Sequence, residues 1–397
     1  MKIPLSRPDI TESDRERVQE VLNTPHLSLG PKLDEFEEKF AAYIGTKHAI
    51  AVNSGTSGLH LCIRALDIKD GDEVLTTPFS FISSANCILF ERAKPVFVDI
   101  NENTLNMDIN KLYDEVNKQI AKIRKLKAIL PVHIFGRPCE MDNIMELAQK
   151  YKLKVIEDSC EAIGAEYLSN REESLDFENE KPKESKSWKK VGTFGDCGVF
   201  AFYPNKQITT AEGAMIVTDD DKINTMCKSM RNQGRSDHGK WLQHERLGYN
   251  YRLSEMNCAL GISQLGRIDK ILAKREEIAK QYNERLKEIE GVVIPRFEEY
   301  KKISWFVYVV RLTDEFSRED RDEVLAKLKK KGIGCSNYFS PIHLQPFYRK
   351  MFGYEEGDFP VTERISERTI ALPFYNKLKE EQIDYVCESL KNLIDST

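Results

Sequence analysis

Short apolar runs alternate with segments of helical period through the first half of the chain, and few folds accommodate that alternation. Runs at 49–52, 73–76, 94–98, 128–132 and 154–157 read as strands, and helical patterns lie at 109–120 and 141–151. Two amphipathic helices, 12–22 and 32–43, precede them. Strand–helix alternation predicts an α/β fold with a mainly parallel sheet covered by helices on both faces. Two more strands, 198–203 and 214–218, flank a polar turn. A long helical pattern then runs from 254 toward 289, with Leu260, Gln264, Ile268 and Leu272 as a spine between two parts of the molecule. Beyond it lies a smaller α+β portion, with a strand at 305–312 and helices at 318–331 and 382–393. The expected division is a large domain over 1–257 and a small C-terminal domain over 258–397. With 397 residues, 41% of them hydrophobic, the chain can fill two cores.

Several function classes are disfavoured. The net charge is −5 and no basic stripe suits nucleic acid. No run approaches the roughly 18 apolar residues of a membrane span. The N-terminus lacks the apolar core of a secretion signal, so a cytoplasmic location is expected. The nine cysteines are scattered, without CxxC or zinc-like Cys/His spacing. Cys62, Cys87 and Cys258 fall in apolar helical patterns and read as buried free thiols. No metal site is expected.

Chemistry enters with Lys206, in Phe200-Ala201-Phe202-Tyr203-Pro204-Asn205-Lys206-Gln207. A lysine at a strand end under apolar cover can be tuned to carry a Schiff base. Taken alone, it reads as a solvated surface charge, as most lysines are. In Val52-Asn53-Ser54-Gly55-Thr56-Ser57-Gly58, Ser54 is an N-cap for a helix carrying Leu59, Cys62, Ile63 and Leu66. That helix start is either an ordinary cap or an anion site. In Val155-Ile156-Glu157-Asp158-Ser159-Cys160-Glu161, acids sit where a buried strand should end. Asp158 there either caps a helix or pairs with a protonated ring nitrogen. Phe81 follows the strand at 73–76 and a proline break. It is a core residue or a shelf for a flat heteroaromatic ring.

Phosphate cradle, aromatic shelf, acid and lysine, in that order, supply the contacts that pyridoxal 5′-phosphate (PLP) needs. The order and the words resemble the DegT/DnrJ/StrS family of sugar aminotransferases, a branch of the fold-type I PLP enzymes. The likeness runs from Pro4-Leu5-Ser6-Arg7-Pro8 through Ser28-Leu29-Gly30-Pro31 to Leu372-Pro373-Phe374-Tyr375. It implies a seven-stranded large domain with a small α+β domain. It also implies Lys206 as the cofactor's lysine, Asp158 on the pyridine nitrogen and Phe81 on the ring. Gly55, Thr56 and Ser57 would hold the phosphate, and Glu161 would lie near the 3-hydroxyl. Gly248-Tyr249-Asn250-Tyr251-Arg252 matches a segment whose asparagine reaches the neighbouring subunit's phosphate. Asn250 would then act in trans within a homodimer. One position departs: relatives commonly have Ser five residues before the lysine, where this chain has Ala201. Asn205 or a water is the expected replacement. Relatives also cross 168–190 with a tight turn. Here 12 of the 23 residues are charged, so the stretch reads as an insertion. It is either a mobile loop or a lid or dimer-edge element anchored by Trp188.

The resemblance implies L-glutamate as amino donor and a nucleotide-diphosphate-linked keto-sugar as acceptor, expected to be a 4-keto-6-deoxyhexose. His133 follows a strand and is either structural or a substrate contact. Asn337, Tyr338 and His343 fall in a segment that approaches the sugar nucleotide in relatives. Arg235 and Arg252 are candidates for the diphosphate or for salt bridges, and Gly30 and Pro31 for the entrance. Relatives that aminate C3 or an inositol ketone share these words. So do sugar dehydratases, of which some replace the lysine with histidine and most need an iron–sulfur cluster. A DNA-binding regulator would need a helix-turn-helix or basic patch, and neither is evident.

Overall fold

The computed structural model describes residues 1–121, 125–170, 186–236 and 243–396. Its strands are β1 (His48–Val52), β2 (Glu73–Thr76), β3 (Lys94–Phe97), β4 (Leu126–Ile129), β5 (Lys154–Asp158), β6 (Glu166–Ser169), β7 (Ser187–Lys190), β8 (Cys197–Ala201), β9 (Ala214–Thr218), β10 (Val292–Val293), β11 (Lys301–Lys302), β12 (Tyr308–Leu312) and β13 (Thr369–Leu372). Seven form one sheet in the order β1-β9-β8-β5-β4-β2-β3. Strands β3, β2, β4, β5 and β8 are paired parallel, and β9 lies antiparallel to both β8 and β1.

Period two along these strands builds two cores. Ile50, Val52, Val74, Ile156, Val199 and Ile216 pack under α3 (Gly55–Ala65), α4 (Ser83–Leu89) and α7 (Asp221–Arg231). Their neighbours Ala49, Ala51, Leu75, Val155, Phe200 and Met215 belong to the cores of the opposite face. That face carries α2 (Pro31–Ile44), α5 (Ile109–Ala121), α6 (Met141–Tyr151) and α8 (Glu255–Leu265), with α1 (Glu12–Leu22) against α8. Burial on both faces explains why the strands read as apolar runs. The run at 128–132 ends early as a ladder, at Ile129, because Pro131 has no N–H to donate. Val132 keeps a single bridge to Asp158.

The long helical pattern is two helices, α8 and α9 (Ile268–Leu286), which meet at Gly266 and Arg267. Arg267 holds the bend by donating to Asp9 and Asp14. No break falls between residues 257 and 258, since both lie inside α8. Cys258, Ile262 and Leu265 share a core with Phe36 and Phe40 of α2. Helix α9 begins in that core with Ile268 and Ile271 and ends in the second core with Ile278, Tyr282 and Leu286. We therefore propose the domain boundary within α9. The second core lies beneath the antiparallel sheet β10-β12-β13, with α9, α10 (Arg318–Lys330) and α13 (Glu380–Ile394). Short helices α11 (Pro346–Phe352) and α12 (Pro360–Ser366) return to the large sheet, Tyr348 packing with Phe97 and Ala85, and Ile365 joining the core under α3.

The charged stretch begins and ends as an antiparallel hairpin, β6 with β7, extended by β11. Trp188 of β7 lies under the Lys302 ammonium, 4.2 Å from its ring centre. Of the stretch 168–190 for which an insertion is expected, residues 171–185 lie outside the described residues. Among the described residues, no helix is long and apolar enough to cross a membrane.

Glu255 locks α8 to the start of α2, which has glycine rather than a capping side chain at its N-cap. Its buried carboxylate accepts the N–H groups of Gly30, Lys32 and Leu33 at 3.0, 2.7 and 3.0 Å. Removing it takes the side-chain acceptor from the half-buried Gly30 and Lys32 N–H groups and leaves Leu33 only its bond to the Gly30 carbonyl at 3.2 Å. Glu255→Ala is expected to lose roughly 3 kcal/mol in urea unfolding, with Glu255→Gln in between. An unchanged midpoint for Glu255→Ala would refute this role.

Candidate active site

Parallel strands bring their carboxyl ends to one edge. Here the ends of β1, β5 and β8 and the loop after β2 enclose a cleft of about 550 Å³. Asp158 closes β5 and is 5% exposed. The Ser84 hydroxyl donates to its Oδ2 at 2.7 Å and the Cys160 N–H to its Oδ1 at 3.1 Å. Ser80 in turn bonds Ser84 at 2.8 Å. The carboxylate is thus oriented from both sides.

Beyond β1, the Ser54 hydroxyl caps α3 by accepting the Ser57 N–H. The N–H groups of Gly55 and Thr56 precede the first helical bond and donate to no described group. The hydroxyls of Thr56 and Ser83 lie 2.7 Å apart. Gly55 is tight: a side-chain carbon there would sit 3.0 Å from Cys160 Sγ and 3.2 Å from Ala201 Cβ. Phe81 lines the same cleft and is 62% exposed, so it is no core residue.

Past β8 the chain turns at Tyr203-Pro204, and the Lys206 N–H closes the turn onto the Tyr203 carbonyl at 2.9 Å. Lys206 Nζ stands 3.8 Å over the Phe306 ring and 3.6 Å from Glu161 Oε1. The other Glu161 oxygen accepts the Phe135 N–H at 2.8 Å. Burial pushes the Glu161 carboxyl above its usual range, and the lysine ammonium opposes that shift. Tyr338 and Phe339 stack with ring centres 5.1 Å apart and line the cleft above. The structure therefore gathers Gly55, Thr56, Phe81, Asp158, Glu161, Lys206 and Tyr338 in one place. Ser57 lies buried one residue behind, its hydroxyl on Ser54.

Other expected residues lie elsewhere. His133 is wholly buried, and its Nδ1 accepts the Cys139 N–H at 3.1 Å. Its Nε2 therefore donates to Glu157, 3.1 Å away, so His133 is structural rather than a substrate contact. His343 is equally buried and bonds Glu363 at 2.9 Å, between Tyr354 and Phe359. It too is structural. Gly30 and Pro31 line no part of the cleft, and the α2 start they form is engaged by Glu255. Arg252 donates to the Asn232 side chain at 3.0 Å, and neither it nor Arg235 nor Asn337 lines the cleft. Asn250 is exposed and also outside its own chain's cleft.

Asn205, expected as a stand-in for the hydroxyl missing at Ala201, lines the cleft, and Tyr203, Phe306, Phe339, Ser83 and Ser84 line it without having been singled out for it. The Ser83-Ser84 pair at a helix start after Phe81 was the available signal. Phe306 and Phe339 gave none, because they come from a part of the chain a hundred or more positions beyond Lys206 whose local pattern does not point to the cleft.

Comparison with known proteins agrees with this geometry. The profile of the DegT/DnrJ/EryC1/StrS aminotransferase family matches residues 8–391. A GDP-perosamine synthase of Escherichia coli O157:H7 is 34% identical, over 98% of this chain and 97% of that protein. The UDP-4-amino-4,6-dideoxy-N-acetyl-beta-L-altrosamine transaminase of Campylobacter jejuni is 34% identical over 99% and 98%. The solved structure of Helicobacter pylori PseC, an aminotransferase involved in the biosynthesis of pseudoaminic acid, superposes with a TM-score of 0.88. It covers 100% of both chains at 29% identity.

The Glu161 environment gives a signed pH dependence. A carboxyl whose folded pKa is raised holds its proton more tightly than in the unfolded chain. Its contribution to stability is therefore lost as pH climbs from the ordinary 4.5 toward the raised value. Glutamine cannot ionise. In the ligand-free protein, the stability of Glu161→Gln relative to wild type should rise with pH above 4.5 and then level off. Urea midpoints across a pH series would show it, and a constant gap would contradict it.

Proposed function

The chain belongs to the DegT/DnrJ/EryC1/StrS aminotransferase family, and on that premise we propose that it moves the amino group of L-glutamate onto a keto-sugar carried by a nucleotide diphosphate. A 4-keto-6-deoxyhexose is the favoured acceptor, supported by the 4-amino-4,6-dideoxy product named for the Campylobacter relative. The family works with PLP, which supplies a reactive carbonyl and an electron-accepting ring.

The residues of the cleft suit that group. Two unengaged N–H groups at the start of α3, with the Thr56 and Ser83 hydroxyls beside them, form a phosphate cradle. Asn205 lines the cleft with a buried side-chain oxygen that has no partner. Its amide can turn to offer N–H instead, which would replace the hydroxyl missing at Ala201. Phe81 offers a ring face open to the cleft, and the fixed Asp158 carboxylate favours a protonated pyridine nitrogen.

One observation carries the reading: a shielded primary amine, Lys206, shares this cleft with an oriented carboxylate and unengaged anion donors. Lys206 is the base that takes the proton from the donor's α-carbon and returns one to the sugar carbon. Glu161 holds its amine from one side and Phe306 covers it from another, which keeps water from competing for that proton. Tyr338 and Phe339 would face the sugar. Asn250, exposed at the edge of its own subunit, is proposed to complete the partner's phosphate cradle in a homodimer. A cytoplasmic location fits these substrates.

Lys206→Ala is expected to lose both the cofactor adduct trapped by borohydride and all turnover of glutamate. Retention of either would reject the assignment. A screen of keto-sugar nucleotides with glutamate, read by mass, should show one ketone converted to an amine about one mass unit heavier, as oxygen is exchanged for the elements of ammonia; no such conversion with any keto-sugar would reject a sugar acceptor. Asn250→Asp should weaken PLP binding by placing a charge beside the phosphate, measured by equilibrium dialysis. Unaltered affinity would remove the cross-subunit role.

A further inference from the structure

A second cavity lies behind the cleft, where the sheet β10-β12-β13 meets the loops after β3 and β4. Its space is about 50 Å³, enough for a few waters or one small oxyanion. Strand period shapes one wall: Val307, Val309 and Arg311 alternate along the chain, and Thr369 is the direct partner of Arg311 across β12 and β13. Arg137 and Arg296 line the opposite side.

Most charges around this cavity are matched. Arg137 donates to Glu298 and to the Arg296 carbonyl. Glu102, at the rim, is held by Arg364. Arg311 differs. It is half-buried, and among the described residues its guanidinium makes no hydrogen bond and no ion pair. Burial lowers its pKa; the Glu102 and Asp314 carboxylates oppose this, and Arg364 and Arg296 add to it. The Arg296 side chain likewise has no bonded partner among the described residues. Thr369 is wholly buried, and its hydroxyl has no partner among the described residues. A half-buried cation with no hydrogen-bonded partner is free to take one, and a buried hydroxyl left unpaired is unfavourable. An anion with several oxygen atoms would satisfy both.

The cavity also touches the active site. Its lining includes Ile134 and Phe135. The Phe135 N–H holds Glu161 at 2.8 Å, and Glu161 faces Lys206 at 3.6 Å. Gly136 fixes the segment against the second core, since a side-chain carbon there would lie 1.7 Å from the Ser304 carbonyl oxygen. We propose that this cavity is a small-oxyanion site, distinct from the cleft, whose occupancy is sensed at Lys206 through Phe135 and Glu161.

The test uses the PLP-loaded enzyme, so that the cradle at α3 is already engaged. It is titrated with inorganic phosphate, and separately with acetate, at constant ionic strength. The thermal midpoint and the absorbance of the bound cofactor are followed together. Wild type should show a saturable rise in midpoint with at least one of the two anions and a parallel change in absorbance. Arg311→Met should weaken binding by about tenfold or more. Thr369→Val should weaken it less, and Lys39→Met, on the far surface, should titrate like wild type. If Arg311→Met does not fold, Thr369→Val and Arg296→Met decide the matter. Equal responses in wild type and these variants, or no response in wild type, would overturn the site. A midpoint shift lost in Arg311→Met without any absorbance change would overturn the coupling alone. The absorbance arm rests on the proposed role of Lys206 and the unfolding arm does not, so failure of one reading is separable from failure of the other.

Discussion

The parallel pairing of β5 with β8 is the constraint on which the site depends. It sets Asp158 opposite Val199, two residues before β8 ends and seven before Lys206. The pairing is secured by the residue next to Asp158. Glu157 points to the other face of the strand and is wholly buried. Its two oxygens accept the N–H groups of Gly192, Phe194 and Gly195 at 2.7, 2.7 and 2.8 Å, besides the His133 ring. Those residues form the turn that leads into β8. One carboxylate therefore fixes the register of the strand that delivers the lysine, while its neighbour faces the cleft. Removing a buried acceptor of this kind leaves several donors unpaired, which is why such clusters hold a register so firmly.

Lys206 is a different electrostatic problem. Its amine is nearly enclosed, and the nearest carboxylate belongs to Glu161, itself driven toward its neutral form by burial. The 3.6 Å separation is long for a strong hydrogen bond. The Phe306 ring face adds attraction for the ammonium without adding a competing acceptor. The amine is thus held by one long carboxylate contact and one ring face.

Much of this was readable in the chain because the large sheet is buried on both faces. Strands such as Ala49 to Val52 then carry apolar side chains without a break, and the polar residue that follows each run marks the functional edge. Asp158, Lys206 and the Ser54–Ser57 helix start were found that way. His133 misled because a histidine after a strand gives no local sign that its ring is already satisfied, here by Cys139 and Glu157. The start of α2 misled for a related reason: its free N–H groups are met by Glu255, a residue 225 positions from Gly30. The bend between α8 and α9 was hidden because Gln264 keeps the helical spacing while its amide turns to Asp14 and the Asp9 carbonyl. In each case the deciding partner is remote in sequence, and local pattern carries no record of it.

The same remoteness explains how the second core takes part in the site. Arg275, on α9, is buried without a carboxylate, and burial pulls its pKa down to about 10. It donates to the carbonyls of Trp305 and Phe306 at 3.3 and 3.2 Å and reaches that of Lys206 at 3.4 Å. Gln207, next to the lysine, donates to the carbonyls of Glu161 and Ser304 at 2.7 and 3.1 Å. A charged side chain and an amide thereby tie the lysine turn, the acid after β5 and the entry to β12 into one unit. A buried guanidinium is poorly placed for stability, since apolar side chains would fill its volume at less desolvation cost. Its donors are nevertheless rigid and planar, so they fix three carbonyls from two cores at once. The position of Phe306 over the amine follows from that tie.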